Sequence, residues 1–150
     1  MTFTHAMCPR AAVLLLLALA GSGAEVVWED TPALTNIWQA VSSGEAERLF
    51  DVLSAGRAAA LERSADGRGP LFWAYEFKNV DALALLLHLD ADEDAEDADG
   101  KRPSDFFPDG EAALKEFAAD AEGRADEAVS EFKAREQEAY ALPRHFIGTS

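Results

Sequence analysis

The chain is short of basic residues, of cysteine and of long apolar runs. Thirteen Lys and Arg stand against 28 Asp and Glu, for a formal net charge of −15. That balance argues against a nucleic-acid binder, which needs a basic footprint on phosphate. One cysteine leaves no disulfide scaffold and no multi-thiolate metal site. HExxH, GxSxG, a Walker loop and GxGxxG are all missing. The chain has 150 residues, 49% of them apolar, which fits one globular domain rather than a disordered one.

The one unbroken apolar run, Ala11 to Ala20, is too short to span a bilayer. Ten residues make a helix of about 15 Å, half of what the hydrocarbon core demands. A leader holding Arg10 precedes the run, and Gly21, Ser22, Gly23 and Ala24 follow it, ahead of acidic Glu25. This is the order of a secretory signal peptide over residues 1–24, with cleavage expected after Ala24. Cleavage removes Cys8 and Arg10, so the mature chain has no thiol and is one unit more negative. The expected address is the secretory pathway: ER lumen, extracellular space, or periplasm in a bacterium. Residues 25–32 read as an N-terminal linker.

An internal repeat stands out before any secondary structure. Ala65-Asp66-Gly67-Arg68-Gly69-Pro70 recurs as Ala98-Asp99-Gly100-Lys101-Arg102-Pro103, an offset of 33. At that offset Phe50, Val52 and Leu53 match Leu83, Leu85 and Leu86. Upstream the phase slips by one, so Ile37, Trp38 and Ala40 match Leu71, Phe72 and Ala74 at 34. The Asp-Gly pairs predict tight turns, and a Pro three residues after each Gly suits the first turn of a helix. Leu83, Leu86 and Leu87 share one face of a second helix predicted over Val80 to Leu89. Each unit is thus turn, short helix, loop, helix, and stacked copies bury the apolar faces that single units leave exposed.

Gly67-Arg68-Gly69-Pro70-Leu71-Phe72-Trp73-Ala74 resembles the ankyrin signature G-x-T-P-L-H-x-A. Leu85-Leu86-Leu87-His88-Leu89-Asp90-Ala91-Asp92 is similar to that family's L-L-L-x-x-G-A-D. Gly44 and Gly56 fall at the two glycine positions of a first copy, and Gly100, Pro103 and Asp105 open a third. The capping Thr of the family is Gly69 in one copy and Arg102 in another, and its small Ala is Phe107 in the third. The resemblance spans residues 33–120 and implies an all-α solenoid of about three helix-turn-helix repeats. By the same resemblance the hairpin tips and the exposed side of each first helix form a partner surface. On this chain those positions are Ser42, Ser43, Arg63, Arg68, Glu76, Phe77, Glu96 and Lys101, with Phe77 the expected aromatic anchor. Trp38 and Trp73 are expected in the core.

Beyond the repeats, Leu114, Phe117, Ala118, Ala121, Ala125, Ala128, Val129 and Phe132 recur every three or four residues. This is the apolar stripe of one long helix, or of two broken at Gly123, and Pro143 ends it. Residues 121–150 are expected to form a C-terminal capping helix and a short tail. A partner-binding or self-pairing helix is the alternative, although an alanine seam makes a weak coiled coil.

The residues give little sign of chemistry. Cys8 and His5 leave with the signal peptide, so His88 and His145 are the mature chain's histidines, and no spacing selects a catalytic pair among the carboxylates. The acidic run Asp90 to Asp99 starts like an EF-hand loop but carries Ala95 and Lys101 where that loop needs Gly and Glu. No catalytic residue, metal site or cofactor is expected. The sequence therefore reads as an exported, monomeric protein–protein interaction module whose partner carries a basic surface. Two other classes stay open: a luminal acidic buffer of low Ca²⁺ affinity or chaperone-like factor, and an enzyme whose carboxylates meet only on folding.

Overall fold

The computed structural model describes residues 28–141. The signal-peptide segment, the first part of the linker, and the tail with Pro143 and His145 lie outside the described residues. Thr31 opens helix α1 (Pro32–Ser43): its hydroxyl accepts from Leu34 N at 3.1 Å, and Pro32 fills the first turn. Helix α2 (Ala46–Ala55) follows, then a 3-10 turn at Arg57–Leu61 and a hairpin around Asp66-Gly67. Helices α3 (Pro70–Glu76) and α4 (Val80–His88) form the second unit, with Asn79 capping α4 through Ala82 N at 3.0 Å. A second hairpin, a 3-10 turn at Pro103–Phe106 and helix α5 (Glu111–Ala141) complete the chain. The described residues are all-helical and contain no strand.

The sequence repeat is written into the backbone hydrogen bonds. Glu45 N donates to Ala40 O at 2.9 Å, and Asn79 N to Ala74 O at 2.9 Å, 34 residues on. Ser64 N donates to Arg68 O at 2.8 Å, and Asp97 N to Lys101 O at 2.9 Å, 33 residues on. Gly44 (φ +74°) and Lys78 (φ +52°) turn the chain between the two helices of each unit in the same left-handed conformation. Burial follows the register: Ile37 and Leu71, Ala40 and Ala74, Phe50 and Leu83, Leu53 and Leu86 are all buried. Ala40 and Ala74 are completely covered, as small residues are where helices approach closely.

Several sequence expectations change. Part of the supposed linker belongs to the packed structure. Trp28 lies half-buried on Gly67, whose missing Cβ would strike the Trp28 ring and come within 2.8 Å of Ala98 N. Gly56, expected at a glycine position of the first copy, takes no left-handed turn. It is extended and opens the 3-10 turn instead. In the third unit Phe107, where the second unit has Ala74, is too large for close helix packing. The first helix of that unit shrinks to the 3-10 turn at Pro103–Phe106, and Phe107 packs on Phe117 at 5.1 Å.

Helix α5 runs unbroken through Gly123, and because it begins at Glu111, a boundary at residue 120 falls inside it. At about 1.5 Å per residue its 31 residues reach about 46 Å, far beyond the last unit. All eight stripe residues are buried or half-buried. The helix packs first on α4 and then on α2. Ion pairs fasten both contacts: Arg124 to Asp81 at 2.8 Å, Arg135 to Asp51 at 2.6 Å, and Arg57 to Glu136 through two hydrogen bonds. Phe132 is fully buried at the far contact, under the Arg57 guanidinium. The outer helices α2 and α4 are thus covered by α5, while α1 and α3 pack on each other and α3 on the 3-10 turn at Pro103–Phe106. No helix of the described residues is long and apolar enough to cross a membrane.

Candidate functional site

Two groups of the expected surface residues come together, and they behave differently. At the hairpin tips Arg63, Arg68, Glu96 and Lys101 meet, but the arginines are half-buried and hold the tips to one another. Arg63 donates to Gly67 O at 2.7 Å and to Glu96 O, with its guanidinium 4.4 Å over Trp28 and 5.7 Å over Phe72. Arg68 donates to Asp97 at 3.2 Å and lies 4.2 Å over the Phe106 ring. The Asp66 carbonyl accepts from Ala98 N at 3.0 Å, tying one tip directly to the next. Glu96 and Lys101 are exposed, though Lys101 reaches toward the same Phe106 ring at 5.8 Å.

Asp97 is the hub of these contacts and was not singled out by the sequence. Among the described residues it is the one buried charged side chain, and it accepts from Asp99 N and Lys101 N at 2.9 Å as well as from Arg68. Burial pushes its carboxyl up. The Lys101 amide, the Arg68 guanidinium and the Asp99 amide outweigh that and hold it below the usual carboxylate range. Its counterpart in the first tip is Ser64, whose hydroxyl donates instead, toward Asp66 and Arg68 O, while Asp66 accepts from Arg68 N.

The second group lies along α1 and α3. Phe77, the C-cap residue of α3, is 37% exposed and meets the edge of Trp38 with centroids 6.0 Å apart and planes at 79°. Trp38 is 44% exposed, against the expectation of a core role. Its sequence counterpart Phe72 is buried because Phe106 and Arg63 close over it. Trp73 is buried as expected, with one side on a shallow groove of about 320 Å³. Asp30, Thr35, Trp38, Ser64 and Asp66 line the rest of that groove together with Leu34. Glu76 is exposed beside Phe77. Ser42 and Ser43 end α1, each hydroxyl donating to Gln39 O, at 3.2 and 2.7 Å.

Besides Asp97, three acids of the Asp90–Asp99 run help to hold the loop. Asp92 caps Asp94 N at 2.9 Å, Asp94 pairs with Arg102 at 3.3 Å, and Glu93 accepts from the Tyr75 hydroxyl at 2.9 Å. Burial and the Glu93 contact push the Tyr75 phenol far above its ordinary range. Among the described residues no group of three or more His, Cys, Asp or Glu is placed to hold a metal ion. His88 is exposed at the end of α4. No protein-family model matches the chain, and no curated protein matches it.

Proposed function

We propose that the chain is an exported, ankyrin-type repeat protein that works as a protein–protein interaction module and catalyses no reaction. The supporting observation is the solvent-facing Trp38–Phe77 pair on α1 and α3, away from the main contacts of α5 with α4 and α2. Large aromatics held edge to face cost conformational entropy before binding rather than during it, and such residues dominate binding energy at interfaces. The ankyrin-type reading draws on the 33- and 34-residue recurrence of turn hydrogen bonds, and on Asp90 taking φ +64° where that family has glycine. Export follows from the leader over residues 1–24. The partner carries a basic surface, because the chain's net charge of −15 repels acidic ones.

The test is capture of a partner on immobilised protein, comparing the wild type with Trp38→Ala/Phe77→Ala. Both aromatics are exposed, so the variant keeps its helices by circular dichroism. A partner held by the wild type and released by the folded variant supports the module. Equal retention by both moves the binding face elsewhere, and retention by neither removes the proposal.

A further inference from the structure

The fold places arginine three times in one kind of setting. Arg68 lies over Phe106 and bonds Asp97. Arg57 lies over Phe132 and bonds Glu136. Arg135 lies 6.0 Å over Phe50 and bonds Asp51. An aromatic face and a carboxylate together satisfy both properties of a guanidinium, its flat cationic surface and its fork of N–H donors.

The groove between α1, α3 and the first hairpin tip holds the same two components. Trp38 and Trp73 supply aromatic surface, Asp30 and Asp66 supply carboxylates, and no Arg or Lys is among the lining residues. Of the two cations nearest in sequence to α3, Lys78 pairs with Asp109 at 2.8 Å, and Arg68 pairs with Asp97 at 3.2 Å and more loosely with Asp66 at 3.6 Å. Asp30 is thus the groove carboxylate with no cation on it, and Asp66 shares its charge with Arg68. Asp30 and Asp66 are fixed in place, Asp30 accepting from Ala65 N at 3.1 Å and Asp66 from Arg68 N at 3.0 Å. We infer that this groove receives an arginine side chain from a basic segment of the partner protein, its guanidinium on the tryptophan faces and its N–H groups toward Asp30 and Asp66. Phe77 then borders the groove through Trp38 and takes the apolar residue next to that arginine. The inference rests on the reading of the chain as an interaction module and names what its face recognises.

The probe is the blocked pentapeptide Gly-Arg-Leu-Arg-Gly, titrated into the ¹⁵N-labelled protein while the indole N–H resonances of Trp28, Trp38 and Trp73 are followed. Its control replaces each arginine with citrulline, which keeps the shape and removes the charge. The expected result is saturable movement of the Trp38 and Trp73 signals, with Trp28, stacked under Arg63, as the reference. Asp30→Asn/Asp66→Asn keeps the acceptor oxygens that hold the hairpin, and Trp38→Ala removes an exposed ring. Each variant weakens binding roughly fivefold or more. Asp30→Asn alone, at an exposed position, serves if the double variant unfolds. Absence of movement, equal binding of the citrulline peptide, or unchanged affinity in the variants overturns the inference. If a partner is still captured through Trp38 and Phe77 in that case, the arginine site falls and the module stands. If the peptide binds here and no partner is captured, the module falls and the arginine site stands.

Discussion

Arg68 and Asp97, 3.2 Å apart, join successive hairpin tips through a carboxylate that is almost completely buried. The contact makes Arg68 a structural residue although its position matches a partner-contact position of the ankyrin pattern. Asp97→Ala leaves the Arg68 guanidinium and the amides of Asp99 and Lys101 without their acceptor. It is expected to cost about 3 kcal/mol, read as a lower urea midpoint at unchanged slope.

Acid should weaken the fold in a defined direction. Asp97 and Glu136 both titrate below their ordinary values when folded, Glu136 because the Arg57 guanidinium bonds it. A depressed folded pKa contributes stability that is complete above the unfolded value, near pH 4, and is lost as pH falls through the lower folded value. Melting temperature should be flat near neutrality and fall below about pH 4. Asp97→Asn should shallow that fall, since the group no longer titrates.

Gly123 and Phe132 separate helix propensity from packing in α5. A Cβ at Gly123 meets nothing within 4 Å, so Gly123→Ala should stabilise the protein by about 1 kcal/mol. Phe132 is fully buried where α5 reaches α2, and Phe132→Ala should destabilise by about 3–5 kcal/mol. Thermal melts of the two variants give opposite shifts.

Restoring the threonine of the ankyrin pattern at Gly69 should harm the fold despite the cap it offers. A Cβ there stands 2.7 Å from the Glu62 carbonyl oxygen, a backbone atom that cannot swing away. Gly69→Thr should cost about 1–3 kcal/mol from overpacking, larger than the roughly 1 kcal/mol a cap returns.

What could be read from the residues was what repeats. The helix over Val80 to Leu89, the hairpins at Asp66-Gly67 and Asp99-Gly100 and the stripe of α5 follow from local spacing, and the helix ends one residue earlier, at His88. Hidden were features set by neighbours distant in the chain. Trp38 matches the buried Phe72 in sequence, yet its exposure depends on whether a Phe106 and an Arg63 close over it. Asp97 looked like one acid among many, and only the approach of Arg68 from the preceding unit gives it a role. A local signal does exist for the first helix: Thr31-Pro32, a cap residue followed by proline, marks the start of α1 one turn before the repeat register does.

The central claim is that the uncovered face of α1 and α3 is a binding surface for a basic partner. Its most direct test is the dissociation constant of the captured partner, measured for the wild type and for Trp38→Ala/Phe77→Ala at low and high salt. The expected result is at least a tenfold loss in the variant, and weaker wild-type binding at high salt as exposed charges are screened. An affinity indifferent to both the aromatic pair and the salt would contradict it.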